Sequence, residues 1–282
     1  MLMPAVLYLA ALVGFPLVLA LLYAFTDATT GNPSLHVVGL STFKAAIDDP
    51  VFLTALRNTF VFTFVSQFLV VVLATILALA LSTSFRGKWI ARFLILLPWA
   101  APIALGAIAW LWLLDSIFSP IDWILRSVGL LHHGGHMNWL GRSTLASSSV
   151  IAVQTWRMLP LATVILMAGL SAIPQDIVDA ADIDGAGAWR KFFHITFPLL
   201  APVGMVALLF GIVFSFTDMA VVFILTRGGP QNATQVLASW AFYRGIDGGA
   251  LAQGAAVAVF MFPMLVGLAA IMLRMASKAE VA

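Results

Sequence analysis

The sequence predicts an all-α, polytopic membrane protein that crosses the bilayer about six times. Of its 282 residues, 62% are hydrophobic and 9% are charged, and the mean hydropathy is +1.05. Soluble domains contain roughly 25% charged residues, so a soluble fold of this length would have too little polar surface. Long uncharged stretches recur along the chain, and about 20 apolar residues in a helix span a hydrocarbon core roughly 30 Å thick.

Six segments reach the length of a membrane span. Residues 1–26, 58–85, 93–114 and 248–273 contain no charged side chain, and two further apolar segments contain one charge each. Because lipid cannot hydrogen-bond the backbone, each segment is predicted to be a helix. A secretory signal is the alternative for the first segment, although no basic residue precedes its apolar run. Residues 1–282 are expected to form a single transmembrane domain with spans at about 3–25, 59–82, 93–114, 148–170, 203–225 and 252–274.

Basic residues favour an orientation with both termini in the cytoplasm. The inner segments then contain Arg86, Lys88, Arg92, Arg190, Lys191, Arg274 and Lys278, and the outer loops contain Lys44, Arg57, Arg126, Arg142, Arg227 and Arg244. The outer loops are about twice as long in total, so basic residues are denser inside, as the positive-inside rule requires. Short amphipathic stretches in the outer loops are expected to lie at the interface of the cell membrane.

The segment between spans four and five, residues 171–202, is too short and too charged to cross the membrane. Pro174 suits the first turn of a helix, and Asp176 favours the positive end of that turn. Gly185 predicts the end of this helix, because glycine tolerates a left-handed cap. Trp189 and Phe193 have the spacing of one face of a second short helix. We expect a cytoplasmic helix–turn–helix whose small residues allow another protein to approach closely; the alternative is a solvated loop.

Residues 179–198 carry a spaced motif of small and charged residues. It consists of Asp179-Ala180-Ala181, three residues, Gly185, nine residues, Ile195 and Pro198, with Asp184 and Ala186 flanking the glycine. This spacing resembles the EAA loop of permeases of binding-protein-dependent ATP-binding-cassette (ABC) importers, in the form usual in the carbohydrate branch. That signature has Glu where this chain has Asp179, and Leu where it has Phe197. The shorter carboxylate keeps the charge, so the departure affects contacts that need a longer side chain.

Two further motifs are similar to the same family. Residues 225–230 read Leu-Thr-Arg-Gly-Gly-Pro, which resembles the Leu-Thr-x-Gly-Gly-Pro outer turn of the carbohydrate branch. Trp156 followed by Pro160 is similar to the family's Trp-Lys-x-x-Pro pattern. The resemblance covers nearly the whole chain and implies a permease of the maltose and glycerol-phosphate importer type, which pairs with a second, non-identical permease.

The resemblance also implies the partners and the energy source. In that family two permeases form the pore, two ATPase subunits bind the cytoplasmic loops, and an extracytoplasmic solute-binding protein docks outside. This chain contains no Gly-x-x-x-x-Gly-Lys-Ser/Thr phosphate loop. It is therefore expected to be a non-catalytic subunit without its own cofactor or metal, with ATP and Mg²⁺ held by the partner ATPase. Its other expected contact is membrane lipid, and no basic run suggests nucleic acid.

Two charges fall inside predicted spans, where each costs roughly 2.5–3.5 kcal/mol. Arg157 and Asp218 lie at nearly matching depths, about 13 and 10 Å from the outer ends of spans four and five. They are expected to form a pair, either as scaffold or as part of a wet pathway. Residues with the chemistry of a sugar site could also line a pathway, although each could equally be a packing residue; they are Trp110, Gln154, Trp156, Phe216 and Gln253.

Other functions fit the sequence less well. His132, His133 and His136 could bind a metal, but they lie in a glycine-broken outer loop, so a solvated loop is favoured. An ion-coupled carrier is the alternative function; it predicts more intramembrane carboxylates and inverted repeats, which the chain does not show. An intramembrane hydrolase would need a nucleophile and a base at matching depth, and no histidine lies within the core of a predicted span. The sequence does not identify the solute.

Overall fold

The computed structural model describes residues 3–33 and 35–281, with side chains as far as Met275. Lys278, counted above among the inner basic residues, lies outside the described side chains. Apart from one isolated β-bridge between Thr26 and Val37, the described residues form helices and loops. The helices are α1 Met3–Ala24, α2 Ser41–Ile47, α3 Pro50–Ser82, α4 Lys88–Ala100, α5 Ile103–Leu113, α6 Pro120–Ser127, α7 Ser143–Ser171, α8 Gln175–Ile183, α9 Ala188–Thr217, α10 Ala220–Leu225, α11 Leu237–Phe242 and α12 Leu251–Val281.

Five of these helices are long and apolar enough to cross a membrane, and a sixth span is made by two helices together. The five are α1, α3, α7, α9 and α12, and their order places the loops at alternate ends of the bundle. The short loops at 83–87 and 172–187 form one end, here named the short-loop face. The long connections at 25–49, 114–142 and 226–250 form the other, the long-loop face. The predicted polytopic all-α fold is confirmed.

The predicted continuous span at 93–114 is wrong in detail, because the chain bends within it. Helices α4 and α5 meet at an angle of 100°. Ala101 at the junction is extended (φ −73°, ψ 141°), as expected for a residue that precedes a proline. Pro102 cannot donate a backbone hydrogen bond, so it cannot continue α4 and instead becomes the N-cap of α5.

The predicted span at 203–225 differs in a similar way. Helix α9 begins at Ala188, so the expected second short helix and span five form one continuous helix of 30 residues. A π-helical turn at Phe192–Thr196 precedes Pro198. The helix then ends at Thr217, and Asp218 is extended (φ −77°, ψ 122°) before α10 begins.

Two of the three buried apolar clusters among the described residues pack α3 against α7, and the third packs α3 against α2, α11 and α12. Near the long-loop face, α3, α5, α7 and α10 pack through Phe62, Ala107, Leu114, Val150, Val153, Val221, Val222, Leu225 and Val236. Near the short-loop face, α3, α7 and α9 pack through Val70, Ala74, Ala78, Met158, Ala162, Leu166, Leu200 and Ala207. Helix α3 contributes to both clusters, so it forms the central support of the bundle.

The turn at 226–236 is fixed to the bundle by hydrogen bonds. Arg227 and Gly228 have left-handed backbones, with φ of 50° and 83°. Asn58 of α3 donates from Nδ2 to the carbonyl oxygens of Ala233, at 2.8 Å, and Gln235, at 2.9 Å. Because Asn58 and Gln235 are themselves buried, these bonds are shielded from water. The Gly-Gly-Pro turn is therefore a fixed feature of the long-loop face.

Candidate functional site

The turn between α8 and α9 has the hydrogen bonds of a Schellman motif. Gly185 has φ +71° and its N–H donates to the oxygen of Asp182 at 3.1 Å. The N–H of Ala186 donates to the oxygen of Ala181 at 2.9 Å. These are the 5→2 and 6→1 bonds that end a helix when the next residue is left-handed, the role expected for Gly185. The sequence therefore folds locally into a sharp elbow, residues 174–198, at the short-loop face.

The elbow presents most of its motif residues at the surface. Asp179, Ala180, Asp184, Gly185 and Pro198 are exposed, Ala186 and Ile195 are half-buried, and Ala181 is buried. Gln175 donates from Nε2 to Asp179 Oδ1 at 2.9 Å, and Lys191 pairs with Asp182 at 2.5 Å. These two contacts stiffen the outer surface of the elbow without covering it.

Large apolar side chains of the elbow are also uncovered. Ile183 is 87% exposed and Trp189 is 78% exposed. The ring of Trp189 stacks on that of Phe193, with centroids 5.8 Å apart and planes 9° from parallel. Exposed apolar patches of this kind mark interaction sites. The elbow therefore presents an exposed apolar surface of the kind that contacts other proteins.

Inside the bundle the structure brings Arg157 and Asp218 together. Arg157 Nη1 lies 2.6 Å from Asp218 Oδ2, and their side chains are 22% and 8% exposed. Asp218 Oδ1 accepts the N–H of Ala220 at 2.8 Å, so the same carboxylate also caps α10. The pairing that the matching depths suggested is present. Asp218, however, lies in a helix break rather than within a helix.

The two helix breaks meet beside this ion pair. A small cavity is bordered by Ala101 and Pro102 from the α4–α5 break, by Arg157, and by Val221 of α10. Trp156 also lines the cavity and contacts Trp110 edge to face, with centroids 5.7 Å apart. Discontinuous helices near the middle of a membrane expose backbone polar groups where solutes bind in many transporters. Trp110, Trp156, Arg157 and Asp218 thus form one candidate site, named here the break site.

Two of the other residues predicted to line a pathway, Phe216 and Gln154, are buried between helices. Phe216 is fully buried and packs edge to face on Phe60 with centroids 5.3 Å apart, so the packing contradicts a lining role in this conformation. Gln154 is 4% exposed and donates from Nε2 to the oxygen of Ser215 at 3.2 Å. Both side chains lie between helices next to the break site, and their directions are set by the packing of Phe216 and the hydrogen bond of Gln154.

Gln253 lies away from the break site, at the long-loop face. Its Oε1 accepts a hydrogen bond from Arg244 Nη2 at 2.5 Å. It borders a cavity of about 320 Å³ between the loop that follows α1, helix α2 and the start of α12. Gln253 is therefore separate from the break site, and its place in a pathway stays a prediction.

The histidine loop is organised around a buried carboxylate. Asp122 is buried and accepts hydrogen bonds from Met137 N, at 2.9 Å, and Trp139 Nε1, at 2.8 Å. His136 Nδ1 lies 3.9 Å from Asp122 Oδ2. Among the described residues, no group of three or more His, Cys, Asp or Glu side chains is placed to hold a metal ion.

Sequence reasoning missed the buried polar residues of α3. Thr59, Thr63, Ser66 and Gln67 are each at most 2% exposed within an otherwise apolar span. Gln67 donates from Nε2 to Ser215 Oγ at 2.7 Å and so connects α3 to α9. Their recurrence every three or four residues was the signal available in the sequence, because that spacing places polar groups on one helix face.

Six apolar spans, two of them broken beside an intramembrane ion pair, and an uncovered elbow define a polytopic transporter permease. Comparison with known proteins identifies its family: residues 70–277 match the binding-protein-dependent transport system inner membrane component, and the chain belongs to that family. It is a permease subunit of an ABC importer.

Named relatives are similar over most of their length. The trehalose/maltose transport system permease protein MalF of Thermococcus litoralis is 32% identical over 86% of this chain and 80% of its own. The sn-glycerol-3-phosphate transport system permease protein UgpA of Agrobacterium fabrum is 31% identical over 87% of this chain and 82% of its own. A crystal structure of a bacterial ABC transporter involved in the import of the acidic polysaccharide alginate matches with a TM-score of 0.84, at 17% identity, covering 99% of this chain and 94% of that one. That last likeness concerns the fold.

Proposed function

We propose that residues 1–282 form a single transmembrane permease domain that makes half of the translocation pore of an ATP-driven importer for sugars or related polyols. A second, homologous permease supplies the other half, two ABC ATPase subunits bind the elbow, and a solute-binding protein docks on the long-loop face. The solute class is supported by relatives named for trehalose/maltose, sn-glycerol 3-phosphate and sulfoquinovosyl glycerol. Each of those cargoes carries several hydroxyl groups.

The observation that carries this proposal is the exposed elbow at the start of a continuous span. Its apolar tip, formed by Ile183 and Trp189, is uncovered, and Trp189 lies in the first turn of the 30-residue helix α9. A partner that grips the tip can therefore move a whole membrane helix. We place the short-loop face and both termini in the cytoplasm, since the ATPase works there and the basic residues are denser on that side.

The break site is the proposed point of solute passage. An arginine, a carboxylate and two indole rings offer hydrogen bonds and apolar faces, which suit the hydroxyl groups and the ring of a sugar. Alternating access then requires two states, and ATP on its ATPase and the loaded binding protein favour the same one. ATP and Mg²⁺ belong to the ATPase in this scheme, and this chain contributes no cofactor of its own.

The test is reconstitution of the complete complex in proteoliposomes with a panel of radiolabelled solutes. We expect uptake of a sugar or polyol that requires ATP, the ATPase and the binding protein. Deletion of residues 179–185 should release the ATPase and abolish uptake. Uptake by this chain alone, driven by an ion gradient, would refute the proposal and support an ion-coupled carrier.

A further inference from the structure

A buried amide–hydroxyl cluster connects three spans next to the break site. Gln67 of α3, which is 1% exposed, donates from Nε2 to Ser215 Oγ of α9 at 2.7 Å. Gln154 of α7 donates from Nε2 to the backbone oxygen of Ser215 at 3.2 Å. The N–H of Asp218 donates to the same oxygen at 3.4 Å. Ser215 is therefore the point where two neighbouring spans hold the last turn of α9, just before the helix breaks.

Gly211 provides the space that the Gln67 amide occupies. A Cβ built on Gly211 would lie 1.9 Å from Gln67 Oε1 and 2.6 Å from its Cδ. No residue with a side chain fits at position 211 while the amide keeps its place. The two residues are matched across the α3–α9 contact.

Stability alone does not account for a glutamine at this position. Gln67 Oε1 has no hydrogen-bond partner among the described residues, and a buried amide oxygen without a partner destabilises the fold. An apolar side chain of similar volume would pack between the spans without that cost. We therefore attribute the presence of the amide to the hydrogen bond that Gln67 Nε2 donates to Ser215 Oγ.

We propose that Gln67 is a positioning residue for the break site. Its bond to Ser215 Oγ fixes the rotation of the last turn of α9, and Ser215 in turn holds the backbone of Asp218. That backbone sets where the carboxylate meets Arg157, 2.6 Å away. The consequence for transport rests on the proposed function, whereas the consequence for the ion pair does not.

The ion pair can be measured with and without the amide. Melting temperatures of the full chain in detergent, for wild type, Arg157→Ala, Asp218→Ala and the double variant, give the coupling between the two residues. The same four proteins are then made with Gln67→Leu. We expect the coupling to fall by at least half, and an unchanged coupling overturns the proposal. Arg157→Lys and Asp218→Asn form a milder cycle with the same expectation if an alanine variant does not fold.

Glycine variants on α9 separate positioning from packing. Gly211→Ala must displace the Gln67 amide, so it should lower the coupling as Gln67→Leu does. Gly204→Ala is the matched control on the same helix, because the nearest atom to its added Cβ, Leu166 Cδ2, is 3.8 Å away. The double variant Gly211→Ala/Gln67→Ala places the new methyl in the vacated space. If the coupling between Arg157 and Asp218 stays low in this double variant, the result supports a positioning role for Gln67. If the coupling recovers fully, Gln67 only fills space and the proposal is overturned.

A transport measurement distinguishes failure of this inference from failure of the proposed function. The reconstituted complex is assayed for solute taken up per ATP hydrolysed, with radiolabelled maltose, trehalose or sn-glycerol 3-phosphate, whichever it accumulates. Loss of folded complex lowers solute uptake and ATP hydrolysis together, whereas a misplaced ion pair lowers the ratio of uptake to hydrolysis. We expect Gln67→Leu to lower this ratio at least twofold. If the coupling falls but the ratio does not, Gln67 positions the pair as proposed and the pair's role in solute passage is refuted.

Discussion

Replacing Gly185 with alanine tests whether the elbow depends on a left-handed turn. Gly185 has φ +71°, and no heavy atom of the described residues lies within 4 Å of a Cβ built on it. The substitution therefore causes no clash, and its whole effect comes from the backbone. A left-handed conformation costs a residue with a Cβ about 1–2 kcal/mol. The native turn should become roughly 5–30-fold less populated relative to open forms.

The assay is binding of the purified ATPase to the permease complex in nanodiscs. We expect Gly185→Ala to weaken binding roughly 5–30-fold, since the partner has to restore the turn on binding. The melting temperature of the membrane spans should hardly change, because Gly185 lies outside them. Gly187→Ala is the matched control: Gly187 also has open space around it, but its backbone is extended, with φ −65° and ψ 163°. Equal losses in the two variants, or undiminished binding by Gly185→Ala, would refute the reasoning.

Two further perturbations concern the bundle. Arg157→Ala leaves the Asp218 carboxylate, 8% exposed, without its counter-ion and should cost about 3–5 kcal/mol. The double variant Arg157→Ala/Asp218→Ala should recover all of this lost stability but about 1 kcal/mol, the value of the lost helix cap. Thermal denaturation in detergent measures the stability of both variants. A double variant no more stable than Arg157→Ala would contradict the buried pair. Gly228→Ala should destabilise the long-loop turn, because its Cβ would lie 2.1 Å from Gln235 Nε2 at φ +83°. Gly39→Ala is the control, because Gly39 has φ +67° and open space around it, so this substitution has only the backbone effect. Gly228→Ala adds a clash to that effect and should therefore lower the melting temperature more than Gly39→Ala does.

The spans and the elbow were predictable because both depend on local chemistry. A helix of about 20 uncharged residues can span the bilayer whatever helices pack around it. Gly185 ends α8 because it tolerates φ +71°, a property of the residue rather than of the tertiary fold. The positions of these features in the chain could thus be read before any contact between helices was known.

The break site was predictable only in part. Pro98 and Pro102 were both visible in the third span, but Pro98 lies inside α4 whereas Pro102 ends it, so a proline alone does not locate the bend. Hydropathy shows that a segment is compatible with lipid and does not show the direction of its helix axis. Asp218 was correctly expected near Arg157, yet its role as a helix cap depends on a break that the apolar sequence around it does not reveal. Phe216 has the chemistry of a lining residue, but the phase of α9 turns it into the core.

The length of α9 gives the proposed mechanism its physical basis. The helix is continuous from Ala188 at the elbow to Thr217, although a π-helical turn at Phe192–Thr196 and Pro202 interrupt its regular hydrogen bonds, and 30 residues at 1.5 Å each make a rod of about 45 Å. One end lies at the surface that a partner can grip, and the other ends at the carboxylate that pairs with Arg157. A helix transmits displacement along its axis because each turn is hydrogen-bonded to the next, so movement of the elbow has to be absorbed where those bonds stop. The helix ends at Asp218, so under the proposed function motion of the elbow is expected to reach the break site.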